Sequence, residues 1–329
     1  MAFYAPRPDL LDRFRASLTA LGGAPMPLGI AFSGGPDSLA LLLLAAGAFP
    51  GRVEAATVDH GLRPGSADEA AQASAVCAAI GVPHATLKVS VPPGASTQAQ
   101  ARAARYEALG IWSSERGISC LLTAHHLDDQ AETVLMRLLR GSGVAGLAGI
   151  RARRPLASGS QAETLRPLLG WRRTELVEIA AASGLAVAAD PSNRDEAYDR
   201  VRIRRLLAES AWLDPAALAR SASALADAED ALEAVTAVHF ASAVIQGENG
   251  LLFQPGDLHV ELRRRILLRC IRRFVPDAAP RGEEISNLLS ALEQGRAATL
   301  AGVMVKPAGT AWRIAPAPPR RLARGGQAV

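Results

Sequence analysis

The sequence predicts an α/β fold: a doubly wound parallel sheet, followed by a second, smaller, mostly helical domain that ends in a β-hairpin. Two observations carry this expectation. Over residues 28–123, short apolar runs alternate with helix-like segments, the pattern of parallel strands joined by right-handed crossovers. From Asp214 the texture becomes alanine-rich and helical, which places a domain boundary near residue 212 and divides the chain into 1–212 and 213–329. A chain of 329 residues is long enough for two domains and a large core without covalent staples.

The elements follow in order. Leu28–Phe32 reads as a buried strand and Leu39–Ala46 as a helix, with Val53–Val58 a second strand. Ser66-Ala67-Asp68-Glu69 has capping-box spacing and opens a helix through Ile80, with Gly81 at its stop. His84–Ser90 is a third strand, Thr97 to Arg116 a helix, Ile118–Thr123 a fourth strand and Asp128–Leu139 a helix. Gly141–Gly149 holds four glycines and predicts a tightly turned connection. Leu165–Leu169 reads as a fifth strand, Arg173–Ser183 and Ala197–Ser210 as helices, with turn chemistry at Asp190-Pro191-Ser192-Asn193 between them. Asp214-Pro215 is a cap followed by proline at the first helical position and opens a helix to about Val244. Glu261–Phe274 and Glu283–Leu292 are amphipathic helices. Ala298–Val305 and Thr310–Ile314 flank Pro307-Ala308-Gly309 as a hairpin, and the tail from Pro316 is expected to fray.

Composition excludes several classes. Hydrophobic residues at 49% and charged residues at 21% are the balance of a globular protein rather than a disordered one. Aromatics are 4%, too few for a large stacking platform for single strands. Cys77, Cys120 and Cys270 are far apart in sequence, which argues against a disulfide scaffold, a zinc ribbon or a cysteine-ligated cluster. The longest apolar run, Leu39–Phe49, is too short to span a bilayer, so a cytoplasmic enzyme is expected. The net charge is +4, and the basic excess lies after residue 150. Apart from Lys88 and Lys306 every lysine-or-arginine position is arginine, which suits forked phosphate contacts; a genome-wide codon bias is the bland alternative.

The sharpest chemical signal is Ser33-Gly34-Gly35-Pro36-Asp37-Ser38 between a predicted strand and a predicted helix. The glycines let the backbone approach an anion. The Ser33 and Ser38 hydroxyls and the helix N-terminus can donate to phosphate oxygens. Asp37 would repel a bare phosphate and makes chemical sense as a ligand of Mg²⁺ accompanying a triphosphate. An ordinary strand–helix turn with a capping serine is the structural alternative. A second constellation runs from His125 to Glu132, where His125, Asp129 and Glu132 share one face if the segment is helical. Two carboxylates and an imidazole can hold a metal or an ammonium group; capping by Asp128 is the bland alternative, and His126 reads as structural. Asp59-His60-Gly61-Leu62-Arg63 sits at the end of the second strand, where a doubly wound sheet meets a nucleotide's base or ribose.

These residues carry a resemblance. Ser33 to Ser38 resembles the Ser-Gly-Gly-x-Asp-Ser loop of the PP-loop ATP pyrophosphatase superfamily, whose sheet is Rossmann-like. Val58 to Arg63, Ala104-Arg105-Tyr106, His125 to Glu132 with Leu138-Leu139-Arg140-Gly141, Arg166-Pro167-Leu168-Leu169 and Asp190 to Asn193 narrow it. Together they resemble the tRNA(Ile)-lysidine synthetase family over residues 28–207, and the hairpin after Gln294-Gly295 is similar to that family's second domain.

The resemblance implies an ATP-dependent ligase. It would join free L-lysine to C2 of the wobble cytidine of the isoleucine tRNA with anticodon CAU, through an adenylated cytidine, releasing AMP and pyrophosphate. Ser33, Gly34, Gly35, Pro36, Asp37, Ser38, Asp59, His60 and Arg63 are then expected to bind ATP, with Asp37 holding Mg²⁺. Asp129 and Glu132 would bind or deprotonate lysine, and Arg105 and His125 would stabilise charge at the α-phosphate. Arg151, Arg153, Arg154, Arg200, Arg202, Arg204 and Arg205 form a candidate RNA track. No membrane partner is expected and a homodimer is left open. Where the family commonly has Arg-Asn before x-Ile-Arg, this chain has Arg200-Val201-Arg202-Ile203-Arg204, and acceptor-stem recognition is expected to use the helical second domain or to be reduced. Three rivals remain: a PP-loop tRNA thiolase, disfavoured by the scattered cysteines; an amide-forming ATP pyrophosphatase; and a non-catalytic RNA-binding protein with a relic loop.

Overall fold

The computed structural model describes residues 5–23, 25–61, 65–90, 97–156, 161–187 and 199–318. The chain divides into two compact units, one of Met1–Gly141 with Gly146–Ala224 and one of Ser142–Ala145 with Leu225–Val329.

In the first unit, α1 (Pro8–Ala20) leads to β1 (Leu28–Ala31), α2 (Pro36–Ala48), β2 (Val53–Asp59), α3 (Ser66–Ala79), β3 (His84–Lys88), α4 (Thr97–Glu115), β4 (Cys120–Leu122) and α5 (Leu127–Leu138). The four-residue α6 (Val144–Leu147), whose first two residues fall in the second unit, is followed by β5 (Arg153–Pro155), β6 (Glu163–Leu165), α7 (Arg173–Ala182) and α8 (Asp199–Glu209). The sheet order is β3-β2-β1-β4-β6-β5; every pairing is parallel except the antiparallel β5–β6 edge. The expected doubly wound sheet is therefore present, with its topological switch between β1 and β4, where such sheets bind ligands.

Local sequence explains the core. β1 is buried at all four positions, and α2 buries Leu39 through Ala45 without a break, so this helix is wrapped by protein on all sides. α1, an element that the alternation over residues 28–123 does not include, buries Phe14 and Leu18, four residues apart on one stripe, in the same cluster. Two further expectations need revision. The fifth strand is β6, ending at Leu165; Arg166 to Leu169 form a turn in which Leu169 N–H donates to the Arg166 carbonyl. Proline at 167 favours that turn over a strand. Ser66 does not cap α3: Gly65 occupies the cap in a left-handed conformation, and the Ser66 hydroxyl goes to Asp59 instead. Asp190 to Asn193 lie outside the described residues.

α9 (Pro215–Ala243) runs across the division between the units. After it come β7 (Val244–Gly247), β8 (Gly250–Phe253), α10 (Val260–Phe274), α11 (Gly282–Glu293), β9 (Ala298–Leu300), β10 (Val303–Ala308) and β11 (Ala311–Pro316). The expected hairpin is β10–β11. It belongs to a larger antiparallel sheet of order β7-β8-β11-β10-β9, whose inner face packs Phe253, Val303, Val305, Trp312 and Ile314 against Ile266, Leu267 and Leu289.

Candidate active site

The loop after β1 is closed by its two serines. Ser33 Oγ and Ser38 Oγ lie 3.0 Å apart, Ser33 N–H donates to Ser38 Oγ at 3.2 Å, and Ser38 Oγ donates to the Gly35 carbonyl at 2.9 Å. Gly34 turns the chain at φ +78°, a conformation that side chains rarely adopt. Gly35 caps α2 without a side-chain acceptor, so the first-turn N–H groups retain their capacity for an anion. Asp37 follows in that first turn. Its Oδ1 is buried without a hydrogen bond and lies 4.0 Å from Arg173 Nε, itself buried and unpartnered.

α5 starts beside this loop. Its cap is His126, not Asp128: His126 Nδ1 accepts from Asp129 N–H at 3.2 Å, and Asp129 Oδ2 accepts from His126 N–H at 3.1 Å. Accepting at Nδ1 places the imidazole proton on Nε2, 3.8 Å from Asp37 Oδ2 and 3.5 Å from Asp129 Oδ2. Burial disfavours the charged ring, but the nearby Asp37, Asp129 and Asp128 carboxylates outweigh it and raise the His126 pKa. Asp128 reaches the start of α7, accepting from Arg173 N–H at 2.7 Å and Arg172 Nη2 at 3.0 Å. Leu127 N–H donates to the Trp171 carbonyl. α2, α5 and α7 are thus tied together at their N-terminal ends.

His125 precedes the helix and faces other partners. Thr123 Oγ1 is 2.9 Å from its Nδ1. Burial, then the charges of Arg166, Arg200, Arg102 and Arg105, push its pKa down to about 3, so the ring is neutral. Burial likewise lowers the pKa of Arg105, and no carboxylate among the described residues pairs with it. Arg166 is a site residue that sequence analysis quoted only within a motif. It is 3% exposed, donates from Nη1 to the Arg151 carbonyl at 2.6 Å, and has a buried, unpartnered Nε. A cation directly after the apolar end of a central strand was the available signal. This concentration of guanidinium charge calls for a polyanion.

The acidic face of α5 is engaged by α8. Arg200 Nη2 lies 2.5 Å from Asp129 Oδ1 and Arg200 Nε lies 2.6 Å from Glu132 Oε2, while Arg204 Nε lies 2.7 Å from Glu132 Oε1. Two arginines of the candidate RNA track therefore sit on the two carboxylates assigned to lysine. In the same track Arg153 pairs with Glu163 and donates to the Leu21 carbonyl, and Arg205 pairs with Glu209. Arg151, Arg154 and Arg202 are half-buried or exposed.

A cavity opens at the ends of β1 and β2, lined by Phe32, Ser33, Thr57, His60, Glu69 and Arg105 among others. Asp59 Oδ1 accepts from Gly61 N–H at 3.0 Å; the Ser66 hydroxyl and that N–H hold its carboxyl below the usual range. His60 keeps an unpartnered buried Nδ1, and burial and Arg105 lower its pKa. Arg63 lies outside the described residues. No cluster of three or more His, Cys, Asp or Glu suited to a metal is present among the described residues. Mg²⁺ commonly needs only one or two carboxylates when phosphates complete its shell, and the orphaned Oδ1 of Asp37 fits that role. The three cysteines are buried, and burial pushes the Cys77 and Cys270 thiols up to about 12, the opposite of a reactive thiolate. No helix among the described residues is long and apolar enough to cross a membrane.

Comparison with known proteins agrees with this geometry. The PP-loop domain family matches residues 15–211. The chain is 42% identical over 318 residues to a tRNA(Ile)-lysidine synthase of Zymomonas mobilis subsp. mobilis, covering 95% of this chain and 96% of that one. It is 44% identical over 313 residues to a tRNA(Ile)-lysidine synthase of Novosphingobium aromaticivorans, covering 95% of each. Among solved structures, the fold resembles a U34-tRNA thiolase from Methanococcus maripaludis at a TM-score of 0.54, with 18% identity over 68% of this chain and 78% of that one. A glycine-serine loop at a helix N-terminus, an acidic helix and sequence identity near two-fifths over almost the whole chain converge on one conclusion: this protein belongs to the PP-loop family and, within it, to the tRNA(Ile)-lysidine synthases.

Proposed function

We propose that this chain is an ATP-dependent ligase that attaches lysine to C2 of the wobble cytidine in the CAU-anticodon isoleucine tRNA, in the cytoplasm. The observation that carries the reading is the position of His126. Its Nε2 lies 3.8 Å from Asp37 in the anion loop and 3.5 Å from Asp129 on the acidic helix, so one side chain joins a triphosphate site to an ammonium site.

The cytidine C2 carbonyl is a poor electrophile and its oxygen a poor leaving group. Attack of that oxygen on the α-phosphorus of ATP forms an O–P bond and releases pyrophosphate. The ε-amine of lysine then forms the C2–N bond, loses its proton, and AMP leaves with the oxygen. The first-turn N–H groups of α2 and the Ser33 and Ser38 hydroxyls bind the phosphates. Asp37 would hold Mg²⁺, which when bound neutralises phosphate charge. Arg105 faces the negative charge that grows at the α-phosphate. His125 is neutral; with Thr123 Oγ1 donating to Nδ1, its Nε2–H donates to a phosphate oxygen rather than serving as a cation. Asp129 and Glu132 take the lysine ammonium, which requires Arg200 to yield at least one of its two carboxylates, and a carboxylate there accepts the proton that the amine must lose before it attacks. Part of the arginine track and the second unit would hold the tRNA body.

Lysine incorporation into the tRNA tests this directly. Asp37→Ala should abolish adenylation and incorporation together. Asp129→Ala should abolish incorporation while ATP binding persists, and retention of incorporation in that variant would remove the lysine-site assignment.

A further inference from the structure

On α10, Arg265 pairs with Glu229, Glu233 and Glu261, Arg264 with Glu261, and Arg263 with Glu293, whereas Arg269, Arg272 and Arg273 are exposed and make no ion pair among the described residues. The strands β7 to β11 contain no aspartate or glutamate, and their only charged residues are Lys306 and Arg313. These two are direct cross-strand partners in the β10–β11 hairpin. Both side chains are exposed, and neither makes an ion pair or hydrogen bond among the described residues. Like charges directly opposite on antiparallel strands repel and weaken the pair. An external anion bridging the two cations would relieve that repulsion.

The rest of the row identifies the anion. Arg313 faces Leu252 on β8, and Leu252 faces Ile245 on β7. Ile245 is 51% exposed. The aromatic residues of the sheet, Phe253 and Trp312, are on the opposite, buried face, stacked edge to face at 5.4 Å. The outer face therefore offers cations and aliphatic surface but no ring on which a base could stack. Such a surface suits a sugar–phosphate backbone and reads no bases.

We propose that Lys306 and Arg313 form a phosphate-binding row on the outer face of this sheet, which holds the backbone of the tRNA body without sequence preference. The inference rests on the proposed function and adds to it a surface made of residues outside the active site.

Lys306→Glu tests it because stability and binding should move in opposite directions. The new carboxylate faces Arg313, so the repulsion becomes an attraction and the urea midpoint should rise. Binding of a CAU-anticodon isoleucine tRNA transcript should weaken by about tenfold at 0.1 M salt. The slope of log affinity against log salt should fall by about 2, the value for two lost phosphate contacts. Lys306→Arg should keep wild-type binding, an unrelated tRNA transcript should lose the same factor, and ATP binding should not change. Wild-type affinity and salt slope in Lys306→Glu, the result expected if the face instead meets an acidic protein, would overturn this inference alone. A wild-type protein that does not bind tRNA would overturn the proposed function and this inference with it.

Discussion

Arg204 Nε lies 2.7 Å from Oε1 of Glu132, a carboxylate only 1% exposed on the first turns of α5. With Arg200 Nε 2.6 Å from the other oxygen, this buried charge has two guanidinium partners, both on α8. The pairing fixes α8 over this face of α5, and in the proposed function it must open before an ammonium group enters. Breaking a buried pair by removing one charge leaves the other uncompensated.

Glu132→Gln is therefore expected to cost about 2 kcal/mol or more of folding stability, a value discounted for the partial exposure of the arginines. It should also loosen α8 and abolish lysine incorporation. Urea unfolding and amide exchange along residues 199–209 check this; unchanged protection there would show that the pairs do not hold the helix.

Asp128 gives a pH-dependent contribution of known sign. Burial raises its pKa, but the Arg173 N–H and the Arg172 guanidinium outweigh this and leave it below the usual carboxylate value. Its stabilisation is present above the unfolded pKa of about 3.9 and is lost as pH falls through the lower folded value. Asp128→Asn should cost about 1–2 kcal/mol at pH 6. The gap from wild type should narrow as pH falls below about 3.9 and close only below the folded value.

His125 has the opposite linkage. Its folded pKa is about 3, below its unfolded value, so the unfolded chain takes up the proton first. Stability should therefore fall as pH drops from about 6.5 towards the folded value, with a slope worth one proton. His125→Gln should remove that slope, and measured proton uptake on unfolding at pH 5 should drop by about one. Wild-type activity should show no ionisation of this ring between pH 5 and 8.

Gly34 turns the anion loop at φ +78°. A β-branched residue there is strained by about 1–3 kcal/mol, so Gly34→Val should weaken ATP binding far more than it lowers the unfolding midpoint. Equal losses in both would mean that the turn serves the fold rather than the phosphate.

Much of this was legible in the chain. The apolar strand at Leu28 to Ala31, the glycine turn and the proline at the first position of α2 specify one another locally, and periodicity supplied the alternation that makes the sheet. What was missed depended on partners remote in sequence. Arg200 and Arg204 read as part of an RNA track because nothing in residues 199–209 points to carboxylates some seventy positions earlier. His126 took the cap expected of an aspartate because Asp128 is committed to α7. β5 is three exposed residues, Arg153 to Pro155, with no alternation to reveal it. β7 continues the aliphatic run of the long helix before it and turns only at Gly247.

The central claim is that the glycine loop and the acidic face of α5 serve one reaction. The most direct measurement is incubation of the protein with labelled lysine, ATP and the CAU-anticodon isoleucine tRNA, followed by nucleoside analysis and quantification of AMP and pyrophosphate. The account predicts one lysine at the wobble cytidine for each AMP and each pyrophosphate released. Pyrophosphate release with no lysine in the tRNA, or lysine incorporation that survives Asp129→Ala and Glu132→Gln, would contradict it.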